Sequence, residues 1–299
     1  MRICMADSFD PSLPGRLGEF GEVSADLGAL EGADVLLVRS KTKVTREMME
    51  SAPKLKLVIR GGVGIDTIDT KAAAERGIRV TNTPRASSVT VAELAFALML
   101  AVPTRLVEGH LGMCQGRWEK NELKRTELFG KTLALVGFGN IAVEVAVRAR
   151  AFGMEVLAHT RTIRPGRAEA LGVEPVADLH QALGRADYVS LHVPLTDETR
   201  GMIGPDALKA MKKGAVLVNT ARAGVVDAAA VAEALEKGHL GAYCTDVWPT
   251  DPPDPGYPLL KAPRVLMLPH IGANSKENLL RIGEEVCSII RENQEEGVL

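Results

Sequence analysis

The sequence predicts an α/β protein made of two doubly wound parallel-sheet domains with a cleft between them. Short apolar runs alternate with helical patterns, as they do where helices cover both faces of a parallel sheet. This alternation occurs twice, in series separated by the charged stretch GRWEKNELKRTELFG (116–130). A chain of 299 residues, 46% of them hydrophobic, also has the length and apolar content for two ordinary domains.

The elements follow in order. MRICMADSFD has no long apolar run behind Arg2, so it reads as a first strand and not as a cleaved leader. ADVLLVRS (33–40), LKLVIRGG (55–62) and IRVTNTP (78–84) are strand-like, with the helical TKAAAERG between the last two. A long helix is expected from about Val89 to Leu106; it is too short to span a bilayer and carries Glu93. Its unbroken LAFALMLAV exceeds what one face of an exposed helix needs, which predicts a homodimer contact through 89–106 and the segment after it. The second series comprises KTLALVGFG, MEVLAHT, ADYVSLHVP, GAVLVNTAR, GAYCTDVW and RVLMLPH. The last helical pattern, about Ser275 to Glu292, has no strand left to pair with and is expected to return to the first domain. The expected division is 1–98, 99–269 and 270–299, and no internal repeat is visible.

A formal net charge of −2 gives no reason to expect nucleic acid or an anionic membrane as partner. Cys4, Cys114, Cys244 and Cys287 are scattered without a CxxC pair, which argues against a zinc site or disulfide framework and for reduced thiols in the cytoplasm.

The second series opens with ALVGFGNIAVEVAVRAR, in which Gly137, Gly139 and Ala142 satisfy GxGxxG/A between a strand and a helix. The first glycine permits the tight turn and the second lets backbone approach a pyrophosphate. Small Ala142 permits close helix packing, and the helix start at Asn140 and Ile141 offers free N–H groups. The motif predicts a dinucleotide site and makes the two sheets Rossmann-like or flavodoxin-like. An acidic residue about twenty positions on would bind the adenosine ribose of NAD. Here VLAHTRTIRPGR (156–167) supplies Thr160, Arg161, Arg164 and Arg167 instead. An arginine fork suits a 2′-phosphate, so NADP is favoured and NAD remains possible. In the first domain GGVGID (61–66) is a glycine turn after a strand, where the N–H groups of Val63 and Gly64 could cradle a carboxylate.

LVNTARAGVVD (217–227), TDVWPTDPP (245–253) and LPHIGANSKEN (268–278) follow the glycine motif in an order and spacing that resemble the D-2-hydroxyacid dehydrogenases. The resemblance extends to RGGVGIDTIDTKAAAERGIRVTNTP (60–84), VAELAFALML and LHVPLTDETRGMIG (191–204), and so covers nearly the whole chain after residue 50. Within the family it is most similar to the catalytic core of phosphoglycerate dehydrogenases, in the short form without a regulatory extension.

The resemblance implies hydride transfer between a nicotinamide and C2 of a small 2-hydroxy or 2-keto acid. It makes 1–98 the first part of a substrate-binding domain, to which 270–299 returns, and 99–269 the dinucleotide-binding domain. His270 becomes the proton donor, whose imidazole titrates near operating pH. Arg222 becomes the fork that holds the substrate carboxylate and polarises its carbonyl. His192, Pro194, Thr199, Ala221, Asp246 and Gly272 line the cofactor, with Asp246 on the nicotinamide amide or acting only as a strand-end cap. The family's histidine partner is Glu, whereas the matching position here is Asp251, about 1.5 Å shorter in reach. Arg60, Arg85 and Lys120 fall near positions that neutralise a substrate phosphate. The implied substrate pair is 3-phosphoglycerate and 3-phosphohydroxypyruvate. An NADPH-dependent glyoxylate or hydroxypyruvate reductase is the alternative within the same chemistry, and a dinucleotide-sensing, corepressor-like scaffold the alternative outside it.

Overall fold

A computed structural model describes residues 1–161 and 166–299. The chain divides into one unit of Met1–Thr90 with Ala273–Leu299 and another of Val91–Gly272.

The first unit contains, in chain order, β1 (Arg2–Met5), α1 (Leu13–Leu17), β2 (Glu22–Ser24), β3 (Val35–Val38), α2 (Arg46–Glu50), β4 (Leu57–Arg60), α3 (Thr70–Glu75) and β5 (Arg79–Asn82). Its five strands are all parallel, in the order β2-β1-β3-β4-β5. The VLLV of β3 is buried throughout, as a strand covered on both faces must be. Side-chain caps start the helices: Thr45 accepts from the Met48 N–H and Asp69 from the Ala72 N–H.

The second unit takes up most of α4 (Ser88–Thr104) and continues with α5 (Leu106–Cys114), β6 (Thr132–Val136), α6 (Asn140–Ala151), β7 (Glu155–His159), β8 (Glu174–Pro175), α7 (Leu179–Arg185) and β9 (Tyr188–Leu191). It closes with α8 (Pro205–Ala210), β10 (Val216–Asn219), α9 (Ala228–Glu236), β11 (Ala242–Thr245) and β12 (Val265–Met267). Seven parallel strands run β12-β11-β10-β9-β6-β7-β8, with an apolar core on each face. The chain then returns to the first unit as α10 (Lys276–Glu295). There Ile282, Val286, Ile289 and Ile290, spaced as one helical face, pack with Ile3, Leu13, Leu17, Leu37 and Ile59.

Three expectations differ from what is observed. The units change at 90/91 and 272/273, compared with the expected 98/99 and 269/270. The early change arises because Ala92, Ala95, Phe96, Leu98 and Met99 of α4 join the core built by Leu133, Leu135, Val145 and Ala146. The single helix 89–106 is instead two helices, with a 65° bend between them. Pro103 lies in the last turn of α4, and Arg105 takes a left-handed φ of 53° before α5 begins. Finally, β2 and β8 went unanticipated: they are edge strands of three and two residues, too short for a period of two to register, and one contains a proline. Among the described residues no single helix is long and apolar enough to cross a membrane.

Candidate active site

Because all seven strands of the second sheet are parallel, their C-terminal ends share one edge, and the strand order reverses between β6 and β9. Gly137 follows β6 with φ 93°, and a Cβ there would stand 2.5 Å from the His192 carbonyl oxygen, so only glycine fits. Its N–H donates to the His159 oxygen at 2.7 Å, and the His192 N–H donates to the Val136 oxygen at 2.7 Å, which ties the ends of β6, β7 and β9 together. Gly139 precedes α6 and offers no side-chain cap, and a Cβ on it would meet nothing within 4 Å. Ala142 is fully buried against the sheet. The first-turn N–H groups, at Asn140 and Ile141 among others, therefore open onto clear space, which fits a pyrophosphate.

Beyond β7, Thr160 is half-buried and Arg161 exposed. Downstream, the Glu198 carboxyl is held below its ordinary range first by the Thr196 hydroxyl, then by its own backbone N–H, with the charge of Arg161 adding to the effect. Arg167 donates to Asn140 Oδ1 at 3.3 Å, so this cation reaches the start of α6. Arg164 lies outside the described residues. After β9, His192 Nε2 and Ser190 Oγ are 2.9 Å apart, and burial pushes the imidazole down to about 4, leaving it neutral at pH 7. Thr199 shapes the following loop, donating to the Pro194 carbonyl at 2.6 Å and accepting from the Thr196 N–H at 2.8 Å.

At the end of β10, buried Asn219 builds the turn that presents Arg222. Its Nδ2 donates to the Arg222 carbonyl at 2.9 Å and the Tyr243 hydroxyl at 3.2 Å, while its Oδ1 accepts from the Ala221 N–H at 3.0 Å. Arg222, partly exposed, donates to the Ala221 carbonyl at 2.7 Å. After β12, His270 Nδ1 lies 2.5 Å from Asp251 Oδ2, so the loop carrying Asp251 comes close enough to offset the missing methylene. With Nδ1 committed to the carboxylate, Nε2 is the nitrogen left to exchange a proton with a substrate. The strand behind is braced by Trp248, whose Nε1 donates to the Leu268 carbonyl at 2.9 Å. Asp246, 2% exposed, turns both carboxylate oxygens onto backbone: Oδ1 accepts from Ile271 N at 2.8 Å and Oδ2 from Gly272 N at 2.6 Å. The cap weighed as its alternative role is thus the contact observed. Asn219, Tyr243 and Trp248 went unassigned in the sequence; Asn219 alone had a visible signal, its place in NTAR.

In the first unit the strand order reverses between β1 and β3. Arg39, just after β3, donates its backbone N–H to Asp7 Oδ2 at 2.6 Å and its Nη1 to the Ser8 carbonyl at 3.1 Å. Sequence reasoning passed over this loop, in which Thr42 also binds Asp7 through Oγ1 at 2.8 Å. After β4, the guanidinium of Arg60 occupies the space a Gly62 side chain would need, and its Nη1 donates to the Gly61 carbonyl at 3.2 Å. Val63 is exposed, its carbonyl held by Asn82 Nδ2, and Gly64 follows half-buried. Arg85 is exposed in this unit, whereas Lys120, also exposed, belongs to the second.

The model for the NAD binding domain of D-isomer specific 2-hydroxyacid dehydrogenases matches residues 96–272. The D-3-phosphoglycerate dehydrogenase of Methanocaldococcus jannaschii is 42% identical over 295 residues, 95% of this chain and 56% of that protein. The hydroxypyruvate reductase of Thermotoga maritima is 45% identical over 260 residues, 86% of this chain and 83% of the reductase. The chain thus spans about half the length of the phosphoglycerate dehydrogenases it matches. Among solved structures, the TT0316 protein of Thermus thermophilus superposes with a TM-score of 0.87 at 38% identity, covering 98% of this chain and 97% of that one. The matched segment includes the glycine turn at Gly137, the Arg222 turn and the His270–Asp251 pair, and the chain belongs to the D-isomer specific 2-hydroxyacid dehydrogenase family.

Proposed function

We propose that the chain catalyses reversible hydride transfer at C2 of a small 2-hydroxy or 2-keto acid, with 3-phosphoglycerate and 3-phosphohydroxypyruvate as the favoured pair. The observation that carries this reading is His270 Nδ1 held by Asp251 at 2.5 Å, on the sheet edge that also bears the open start of α6.

The cofactor, when bound, supplies or accepts the hydride. The first turn of α6 holds its pyrophosphate through N–H groups at Asn140 and Ile141. Thr160 and Arg161, with Arg164, take the 2′-phosphate, which favours NADP over NAD. Pro194, Thr199, Ala221 and Gly272 line the rest of the cofactor's path. In the reducing direction His270 Nε2 delivers a proton to the substrate oxygen, and in the oxidising direction it removes one. Asp251 fixes the tautomer and favours the cation that forms. Arg222 pairs with the substrate carboxylate and polarises the carbonyl. Val63 and Gly64 N–H groups also serve that carboxylate, and Arg60, Arg85 and Lys120 neutralise a phosphate. The first unit is accordingly assigned to substrate and the second to dinucleotide.

The same proposal includes a homodimer in the cytoplasm. The apolar excess of α4 is spent in its own core, so the dimer rests on α5 and the segment after it, where Leu106, Val107, Leu111, Met113 and Trp118 are exposed. The four cysteines are free, in keeping with a reducing compartment.

A second reading, NADPH-dependent reduction of hydroxypyruvate or glyoxylate, is favoured by the match to 83% of the Thermotoga reductase's own length. Initial rates with 3-phosphoglycerate, 3-phosphohydroxypyruvate, hydroxypyruvate and glyoxylate, against both cofactors, separate the two. A preference for unphosphorylated acids selects the reductase. Dinucleotide binding without turnover of any of these acids overturns both and selects the scaffold.

A further inference from the structure

Asp246, the residue after β11, bears on the geometry of the proton donor. His270 holds a left-handed backbone, φ 56°, which a residue with a Cβ adopts only when its surroundings enforce it. The next two N–H groups, those of Ile271 and Gly272, both point into the carboxylate of buried Asp246, at 2.8 and 2.6 Å. A Cβ on Gly272 would lie 2.8 Å from Asp246 Oδ2, so the close approach of the carboxylate depends on glycine at that position. The chain therefore leaves β12, turns left-handed at His270 and is held there by one anion. The direction of the imidazole toward Asp251 follows from that turn, because Nδ1 can meet Oδ2 only if the backbone at 270 points the side chain that way.

We propose that Asp246 is a positioning residue for His270: by accepting two consecutive backbone N–H groups it locks the strand-end turn that aims the imidazole at Asp251. This rests on the reading of His270 as the proton donor, but the lock itself is a property of the apoprotein. Burial holds the Asp246 carboxyl above its ordinary range, against the opposing pull of the two N–H groups and of positive charge on His270, with the charge of Asp251 adding to the rise. The proton donor and its support are thereby coupled in charge as well as in geometry. Each carboxylate oxygen has a second lone pair, so a cofactor contact at Asp246 is compatible with the lock.

Two variants disturb the lock in different ways. Asp246→Asn removes the charge and sets an amide N–H₂ against one backbone N–H, while Gly272→Ala keeps the charge and pushes the carboxylate away. Amide hydrogen exchange on the cofactor-free protein reads the lock directly. Both variants should lose protection at Ile271 and Gly272 by about tenfold or more while the strands keep theirs. In turnover, kcat should fall by about tenfold or more in both variants. In the Gly272→Ala background, Asp251→Asn should no longer move the pH profile, because the imidazole has already left its partner. Unchanged exchange at Ile271 and Gly272 in both variants overturns the proposal whatever the activity. So does a raised dinucleotide Kd with kcat and exchange intact, which makes Asp246 a cofactor contact alone. If the parent turns over none of the acids tested, the proposed function fails, and the exchange measurement still decides whether the lock exists.

Discussion

The two units share an architecture and differ in how their strand ends are held. Both are parallel sheets whose order reverses once, between β1 and β3 in the first and between β6 and β9 in the second. In the second unit the edge is tightly committed: Gly137 packs against the His192 carbonyl, Asn219 shapes the Arg222 turn, and Asp246 holds the turn after His270. The first unit presents a glycine turn with exposed Val63 and a set of cations, Arg39, Arg60 and Arg85. Under the proposed function the contrast becomes a division of labour in which the fixed groups of the second unit serve bond making and the cationic edge of the first serves recognition. Preorganised groups lower a barrier, whereas charge that acts equally on ground and transition states lowers KM.

The strongest way to break that comparison is His270→Ala. Turnover should fall by roughly a hundredfold to ten-thousandfold, because the oxygen must then take its proton from water. Dinucleotide binding, measured by fluorescence titration, should survive, since the pyrophosphate contacts proposed for it lie at the start of α6.

Next in size is Arg161→Ala, which should weaken NADPH by about 1.5 to 3 kcal/mol and NADH far less, as only the former has a group there to lose. Because the charges of Arg161 and Glu198 act on one another, Glu198→Gln should tighten NADPH modestly. Equal losses for the two cofactors in Arg161→Ala would move this arginine to the shared part of the site, and a parent that prefers NADH would sink the NADP assignment.

In the first unit, Arg85→Ala should raise KM for a phosphorylated acid by about tenfold and leave kcat near the parent value, the signature of uniform binding. A fall in kcat of the same size would erase the proposed division between the units.

Smaller still is the effect of Asp251→Asn, which should move the basic limb of the kcat/KM profile to lower pH, since a neighbouring carboxylate favours the protonated donor. Asp251→Glu should keep activity. A profile that stays put would reduce the 2.5 Å contact to loop packing.

A fifth measurement concerns stability alone. The folded-state value for His192 is depressed to about 4 from an ordinary 6.5, so below pH 6.5 the unfolded chain binds the proton that the folded one refuses. Stability should therefore fall as pH drops from 6.5 toward 4, and His192→Gln should flatten that part of the denaturation profile relative to the parent.

Much of this molecule was legible in its sequence because it is written in local periods and turn chemistry. Runs such as ADVLLVRS and GAVLVNTAR betray buried parallel strands, and the glycines at 137 and 139 mark the first crossover of the second sheet. The order of motifs placed Arg222 and His270 at strand ends, and Asp251 in the Pro-rich loop before His270, without any distance being known. The same reasoning missed Asn219 as a support, although its place in NTAR signalled it, and missed Tyr243 and Trp248, whose contacts are encoded by no residue pattern.

Sequence by itself determined the alternation of strand and helix, the two series and the identity of the groups on the second sheet's edge, because each depends on near neighbours in the chain. Only tertiary structure decided that Asp251 reaches His270 across nineteen positions despite its shorter side chain, as the intervening loop sets that distance. It also decided that α4 buries its apolar face in its own unit and that Asp246 turns toward the backbone of Ile271 and Gly272. These outcomes depend on where remote strand ends come to lie beside one another, a matter settled by packing and hydrogen-bond satisfaction throughout the sheet.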